Sequence, residues 1–406
     1  MSIPIDNATG SKPTVAIIGA GVCGLGIGWR LAQAGARVSV FEKSEPGRGA
    51  SWAAAGMLAA QAEAEPGEET LLELNLKAQQ IWPDFRDELE DAAKIPIGYR
   101  DEGTLIVALD RDDAEALKFN FDFQSKLGLN VEWLSGPEAR KKEPFLTPNV
   151  TGAVFSPSDH QVENRDLVDA LRIAFSAAGG DLRLYTEVTA IESAGGKVTG
   201  IRCGDEVTPA DMVVLAAGAW SRGIDGLPKE LLPPVRPLKG QVLALRMDPS
   251  AHLLRHVLWA PEGIYMVPRL DGRLIIGATV EEKDFDHDLT AGGMLHLLRE
   301  SWEAVPGLDE LSIDEMWVGH RPTSRDDAPI LGPTEMEGLI MATGHHRNGI
   351  LLAPVTADAI SRYILDGDVP EEIAPFGLGR FAKSRKNKNK PIDFDAARTK
   401  LKQGAA

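Results

Sequence analysis

The most constraining feature of this chain is a strand–turn–helix–strand pattern near its beginning, within residues 14–43. An apolar, β-branched run at 15–18 leads into the spacing Gly19-x-Gly21-x-x-Gly24, and a helical pattern follows. Gly19 suits a tight turn, Gly21 lets the backbone approach a pyrophosphate, and Gly24 lets helix and strand pack closely. The start of the helix offers unpaired N–H groups to phosphate oxygens. The pattern therefore predicts a phosphate-binding turn.

An acidic residue completes this pattern. The second strand ends at Glu42, eighteen residues past Gly24, where a carboxylate can accept hydrogen bonds from ribose hydroxyls. An isolated glycine motif is weak evidence, but one flanked by two strands and closed by an acid at this spacing is strong evidence. The sequence therefore predicts that the chain binds a dinucleotide.

Three later segments bear on which dinucleotide is bound. Small residues fill GRGASWAAAGML at 47–58, which allows backbone to lie against a large flat ligand, although a close-packed, Ala-rich helix start explains that composition equally well. DMVVLAAGAWS at 211–221 has the pattern of a buried strand returning to the first sheet, and GHHRNG at 344–349 is a polar turn before an apolar helix. Backbone N–H groups at such a turn suit the pyrimidine edge of a flavin. A nicotinamide domain normally completes its sheet in one stretch, so these separated pieces favour FAD.

With these motifs, the chain resembles FAD-dependent amino-acid oxidases of the D-amino acid oxidase superfamily, and within it the glycine oxidase family of the thiamine pathway. The matching motifs occur in order from residue 15 to about 366, some nine-tenths of the chain. They are GAGVCG, Glu42-Lys43, GASWAAAGML, TEVTAI, AAGAWS, KGQ, YMVPR, GRLIIGAT, GHRP and GHHRNGILLAP. RNGILLAP is the most discriminating of them.

The resemblance implies an α/β fold in which a Rossmann-like FAD-binding domain is interleaved with an α+β substrate domain built on an antiparallel sheet. We expect the FAD-binding domain at 14–95, 150–225 and 320–376, and the substrate domain at 96–149 and 226–319. Residues 377–406 form a basic C-terminal tail. In the helix pattern that starts near 164, Asn164 is the predicted N-cap.

The resemblance also implies positions for the cofactor. The predicted FAD contacts are Gly19, Gly21, Val22, Cys23, Gly24, Glu42, Lys43, Arg48, Ala50, Ser51, Ala55, Gly56, Met57, Val188, Gly218, His345, His346, Arg347, Asn348, Gly349, Ile350 and Leu351. His345 and His346 are expected to contact the flavin through their backbone and to have no proton-transfer role. No cysteine follows Cys203, so we expect FAD to be held without a covalent bond.

Three side chains match the family's substrate-contacting positions. Arg321 is the first candidate for holding the substrate carboxylate, because a guanidinium binds two oxygens at once. Arg347 is the second candidate, and the Tyr265 hydroxyl can supplement the contact. The competing interpretation of Arg321 is a salt bridge to Asp326 or Asp327.

The implied reaction is oxidative deamination of glycine, sarcosine and small D-amino acids, with a role in thiamine thiazole biosynthesis. A hydride passes from Cα to flavin N5, water hydrolyses the imine to a 2-oxo acid and ammonia or an amine, and O₂ reoxidises the flavin to give H₂O₂. No catalytic side chain is predicted, because the flavin performs the hydride transfer. Two alternatives remain: the catalytic subunit of a dye-linked or cyanide-forming dehydrogenase, and a non-catalytic flavin-binding protein.

The amino-acid composition limits the classes of partner that we expect for this chain. The net charge of −17 disfavours nucleic acid, no apolar run is long enough for a membrane helix, and eight His with two Cys show no metal-ligand spacing. Two cysteines without a disulfide framework favour the reducing cytoplasm. We expect a soluble homo-oligomer, which the resemblance implies is a tetramer.

Overall fold

The computed structural model describes residues 12–382, so most of the predicted basic tail at 377–406 lies outside the described residues. The helices are α1 (Val22–Gln33), α2 (Ala50–Ala53), α3 (Glu69–Ala93), α4 (Arg111–Lys126), α5 (Gly136–Lys142), α6 (Asn164–Ala177), α7 (Ala291–Ala304) and α8 (Ala353–Asp366). The strands are β1 (Thr14–Ile18), β2 (Arg37–Phe41), β3 (Met57–Leu58), β4 (Thr104–Ala108), β5 (Glu132–Ser135), β6 (Gly152–Ser156), β7 (His160–Gln161), β8 (Asp181–Arg183), β9 (Ala190–Ala194), β10 (Lys197–Cys203), β11 (Glu206–Pro209), β12 (Met212–Leu215), β13 (Arg236–Arg246), β14 (Val257–Trp259), β15 (Tyr265–Pro268), β16 (Arg273–Gly277), β17 (Ser312–Thr323), β18 (Ile330–Pro333) and β19 (Leu339–Thr343).

A six-stranded sheet carries the glycine turn. Its order is β18-β19-β12-β1-β2-β8, and every neighbouring pair is parallel except β18 with β19. β1, β12 and β19 are almost entirely buried, which explains why their sequences are continuous apolar runs rather than alternating patterns. α1 packs against α6 and α8 over this sheet. The strands come from separated parts of the chain, as the sequence predicted for an FAD-binding fold.

The second large sheet has eight strands. Its order is β17-β13-β16-β15-β14-β4-β6-β5, and only β14 with β4 is a parallel pair among its described neighbours. β15 and β16 form a hairpin around Asp271-Gly272, where Gly272 has a φ of +87°, as the Asp-Gly signal predicts. The α/β fold with a second, largely antiparallel sheet is confirmed.

One strand lies in a different sheet from the one that the predicted domain ranges suggest, and another continues past a predicted boundary. β6 falls in the range assigned to the FAD-binding domain, yet it pairs with β4 and β5 in the eight-stranded sheet. β17 stays paired with β13 as far as Thr323, beyond the predicted boundary at 320. β6 is a short, fully buried apolar run that fits either sheet, so its sequence did not distinguish the partners. The domain ranges themselves stay a prediction.

The predicted N-cap of α6 is wrong. The cap is Glu163, whose side chain accepts the Arg165 N–H at 3.3 Å. Asn164 is already the first helical residue, and its amide donates to the carbonyls of Ser51 at 2.8 Å and Trp52 at 3.0 Å. This asparagine therefore holds the small-residue segment instead of closing its own helix.

A buried arginine ties the eight-stranded sheet to the chain segments beside α2 and α6. Arg269, just after β15, donates from Nη2 to the carbonyl of Ala55 at 2.9 Å and from Nη1 to the carbonyl of Val162 at 2.8 Å. Its Nη2 also donates to the Asn164 side-chain oxygen at 3.0 Å. These charge-assisted bonds tie the end of β15 to those segments.

Candidate active site

A cavity of about 1050 Å³ lies between the carboxyl ends of β1, β2 and β12 and one face of the eight-stranded sheet. Sites for drug-sized ligands usually measure about 300–1,000 Å³, so this cavity suits a ligand as large as a dinucleotide. All but two of the predicted cofactor positions line it, and so do Tyr265, Arg321 and Arg347. The fold therefore brings the predicted cofactor and substrate residues into one space.

Gly24 and Leu351 are the two predicted contacts that do not line the cavity. A Cβ on Gly24 would lie 1.9 Å from the carbonyl oxygen of Gly19, so this glycine allows α1 to pack against the turn. Leu351 is buried, and its carbonyl accepts the indole N–H of Trp82 at 2.8 Å. Both residues lie behind the cavity wall and support the residues that line it.

The turn after β1 is built for an anionic group. Gly19 has a φ of +103°, and a Cβ there would lie 2.6 Å from the carbonyl oxygen of Ala216. α1 begins after Gly21 without a side-chain cap at that residue, although the Val22 N–H donates to Ser51 Oγ at 3.1 Å. The positive end of a twelve-residue helix thus faces the cavity, which favours a pyrophosphate.

Glu42 is held in place at the end of β2. Its Oε2 accepts the Ala20 N–H at 2.9 Å, and its Oε1 accepts the Ser44 N–H at 3.1 Å. Its Oε1 also accepts the Ser44 hydroxyl at 3.2 Å. A carboxylate has about four lone-pair positions, so acceptor capacity is left for one ribose hydroxyl. Beside it, Lys43 Nζ lies 4.1 Å from the centre of the Trp220 ring. The residues present therefore fit the adenosine half of a dinucleotide.

The predicted flavin turn connects β19 to α8. His346 has a φ of +48°, and α8 begins without a side-chain cap at Leu352, so a second helix N-terminus is directed at this turn. Burial lowers the pKa of His345 to about 4, and burial followed by the charges of Arg347 and Arg321 lowers that of His346 to about 3. Both imidazoles are neutral at pH 7. They fix the turn through hydroxyl partners, His345 with Thr356 and His346 with Thr323.

Arg321 and Tyr265 lie next to each other in the wall of the same cavity. Arg321, on β17, donates from Nη1 to the Thr279 carbonyl at 3.1 Å and lies over Gly240, where a Cβ would be 2.7 Å from the same nitrogen. Burial raises the pKa of the Tyr265 hydroxyl, while the nearby guanidinium of Arg321 opposes that shift. The two side chains therefore face the same small volume.

The predicted alternative for Arg321 does not occur. Asp326 instead pairs with Arg380 at 2.8 Å and accepts from Ser324 Oγ at 3.0 Å. Within residues 12–382, no carboxylate lies within 4.0 Å of the Arg321 guanidinium nitrogens. Its charge remains available for a ligand.

Arg347 differs sharply from Arg321. Its Nε lies 2.8 Å from Glu63 Oε2, and its Nη2 lies 2.6 Å from Glu68 Oε2. Burial would lower the pKa of Arg347, but the two carboxylates together raise it. The second predicted carboxylate binder is therefore already paired with acidic groups of the protein.

Glu63 is a site residue that sequence reasoning missed. It is the first of four acidic residues, Glu63, Glu65, Glu68 and Glu69, that follow shortly after the small-residue motif and were the available signal. Glu63 lines the cavity, and burial raises its pKa to about 7 against the opposing charge of Arg347. Trp259 and Ile106 also line the cavity from the eight-stranded sheet and were not predicted.

The described part of the chain contains neither a metal-binding cluster nor a membrane-spanning helix. No group of three or more His, Cys, Asp or Glu residues between 12 and 382 is placed to hold a metal ion. In the same residues, no helix is both long and apolar enough to cross a membrane. Cys23 and Cys203 are unpaired, and burial raises the pKa of the Cys23 thiol to about 12, so it is protonated.

The sequence and structure are similar to known flavoproteins. Residues 14–363 match the DAO family, described as FAD dependent oxidoreductase. A glycine oxidase of Geobacillus kaustophilus is 37% identical over 369 residues, covering 90% of this chain and 96% of that protein. Its crystal structure superposes with a TM-score of 0.84 at 36% identity, over 91% of this chain and 98% of that one.

Two further proteins are informative. The bifunctional protein ThiO/ThiG of Synechocystis is 38% identical over 373 residues, which are 90% of this chain but 54% of that protein. The crystal structure of iminodiacetate oxidase from Chelativorans has a TM-score of 0.81 at 28% identity, over 89% of this chain and 98% of that one. With the family match spanning most of the described residues, and the glycine turn, Glu42 and the cavity in place, this chain belongs to the DAO family of FAD-dependent oxidoreductases.

Proposed function

We propose that this protein oxidises glycine and other small amino acids, such as sarcosine and small D-amino acids, with O₂ as the electron acceptor. The observation that carries the proposal is Arg321, a guanidinium without a carboxylate partner among the described residues, beside Tyr265 in the same cavity as the glycine turn. The similarity to the Geobacillus glycine oxidase over nearly its whole length supports the choice of substrate.

The chain's own residues bind and orient the substrate. Arg321 holds the carboxylate through paired N–H donors, and the Tyr265 hydroxyl adds one hydrogen bond. Bound FAD supplies the hydride acceptor, held by the glycine turn, Glu42 and the 344–350 turn. Because burial lowers the pKa of His345 to about 4 and that of His346 to about 3, both imidazoles are weak bases. Neither is assigned a proton-transfer role, and the substrate amine reacts in its neutral form.

The proposal also covers the pathway, the compartment and the oligomeric state of the protein. The similarity to ThiO/ThiG supports a role in thiamine thiazole biosynthesis, which the resemblance to the glycine oxidase family implies. We place the protein in the cytoplasm as a homo-oligomer that holds FAD without a covalent bond. Its physiological partners are then small amino acids and O₂.

An oxygen-electrode screen tests the proposal. The purified protein is offered glycine, sarcosine, D-alanine, D-proline and L-amino acids, and we expect O₂ consumption and H₂O₂ formation with the first members of that set. Oxidation of glycine only with an artificial dye, and none with O₂, would favour a dye-linked or cyanide-forming dehydrogenase. A yellow protein that oxidises none of these amines would contradict the proposed activity.

A further inference from the structure

The cavity contains three arginines, and their charges are balanced very differently. Arg48 pairs with Glu45 at the surface at 2.7 Å, and Arg347 pairs with both Glu63 and Glu68. Among the described residues, Arg321 is the cavity-lining arginine that has no carboxylate partner. The cavity therefore offers one uncompensated guanidinium for a ligand anion.

Glu63 shares the cavity with Arg321. Both residues line the cavity, and both perturb the hydroxyl of Tyr265, where Arg321 lowers the pKa and Glu63 raises it against the larger effect of burial. A substrate held by Arg321 and Tyr265 therefore shares its cavity with the Glu63 carboxylate, which lines the wall beside Arg347. Glu68, the other partner of Arg347, does not line the cavity.

The segment that carries Glu63 is fixed from behind. The buried Asp159 carboxylate accepts the N–H of Gln61 at 3.0 Å and that of Ala62 at 2.6 Å. The Gln124 amide donates to the Gln61 carbonyl at 3.0 Å. Because the two residues before Glu63 are held by buried hydrogen bonds, this carboxylate has little freedom to move away from an incoming anion.

We propose that Glu63 determines substrate specificity by excluding amino acids that carry a second anionic group. The inference rests on the proposed function, since it assumes that Arg321 takes the first carboxylate. A second carboxylate on the substrate, placed near Arg347, would lose its hydration shell and be repelled by Glu63. It would find no free cation there, because Arg347 is already paired with carboxylates. The fold itself does not impose this exclusion, because a neighbour of the same fold is named iminodiacetate oxidase. The favoured substrates are monocarboxylates with small, uncharged substituents.

Sarcosine and iminodiacetate form a matched pair of probes, because iminodiacetate is sarcosine with a carboxylate on its methyl group. We expect the wild-type holoenzyme to prefer sarcosine by a large factor in kcat/KM. At about pH 9, where the Glu63 carboxyl with its pKa of about 7 is ionised, the ratio of kcat/KM for iminodiacetate to that for sarcosine should rise about tenfold or more in Glu63→Gln, since removing a like charge relieves the repulsion. Using the ratio removes any general loss of activity in the variant.

Glu68→Gln is the matched control. It removes the other carboxylate partner of Arg347 at 2.6 Å but takes no anion from the cavity wall. Its ratio should stay within about threefold of wild type, well under the factor that a lost like charge produces. An equal rise in both variants would mean that releasing Arg347 matters and not the position of Glu63, which would overturn the inference.

Binding of non-reacting anions gives a second measurement that needs no variant. Acetate and malonate are titrated into the wild-type holoenzyme by calorimetry at about pH 9, where Glu63 with its pKa of about 7 is ionised, and malonate should bind at least about tenfold more weakly than acetate. Sarcosine turnover together with equal binding of the two anions overturns this inference alone. If neither sarcosine nor glycine is oxidised and acetate does not bind, the proposed function fails and the inference fails with it.

Discussion

Replacing Arg321 by alanine tests the centre of the proposed site. An arginine has five N–H donors, and in this structure Nη1 uses one on the Thr279 carbonyl, so several remain for a carboxylate. Removing one partner of a shielded, hydrogen-bonded charge pair costs about 2–5 kcal/mol. The expected loss in kcat/KM for glycine is therefore about 30-fold to several thousand-fold.

The assay separates substrate binding from folding and from cofactor binding. Glycine kinetics are followed by O₂ consumption, while the flavin absorbance of Arg321→Ala should match wild type, because Arg321 donates to the Thr279 carbonyl and not to the glycine turn or Glu42. Arg321→Lys should recover only part of the activity, since an ammonium does not reproduce the planar fork. An amine without a carboxylate should be oxidised poorly by wild type and about equally by the variant. If glycine turnover in Arg321→Ala stays within a few-fold of wild type, another group holds the carboxylate and the assignment of Arg321 is wrong.

Three further predictions follow from the described residues. FAD should appear entirely in the supernatant after acid precipitation, and flavin retained in the pellet would contradict non-covalent binding. Glu42→Ala should weaken FAD binding by about 1–3 kcal/mol in a titration of the apoprotein without changing the order of preferred substrates, because it removes a ribose acceptor and leaves the substrate end intact. Glu63 has a pKa of about 7 in the folded protein, raised from 4.5 by burial, so its contribution to stability is complete below the unfolded value and is lost as the pH rises through about 7. The Tm of Glu63→Gln relative to wild type should therefore increase between about pH 5 and about pH 8, and a constant difference would show that this carboxyl ionises normally.

The local parts of the site were predictable, because each has a short-range physical cause. The turn at Gly19, Gly21 and Gly24 requires a positive φ and close backbone approaches within a few residues, and these constraints appear directly as glycine spacing. Glu42 is equally local, since its position at the end of β2 depends only on the length of the unit that precedes it.

The charge balance of the site was not predictable in the same way. Arg347 and Glu63 are 284 positions apart in sequence, and nothing near either residue indicates that they pair. The prediction of the α6 cap failed for a related reason, because the Asn164 amide donates to carbonyls of α2, more than a hundred residues earlier in the chain. Such pairings are set by the packing of whole elements, and local propensity contains no information about them.

The position of β1 has a consequence for how the protein is made. In the finished sheet β1 is a central strand, paired with β2 on one side and with β12 on the other. During synthesis its first partner follows within about twenty residues, but the second begins only at Met212. Until β12 has been made, one edge of the apolar strand β1 has no partner. An exposed strand edge of this kind is prone to pair with other chains. Long-range closure of this kind also slows folding. The nascent chain should therefore depend on chaperones while residues 19–211 emerge, and the cofactor has no complete site until the turn at 344–350 has left the ribosome.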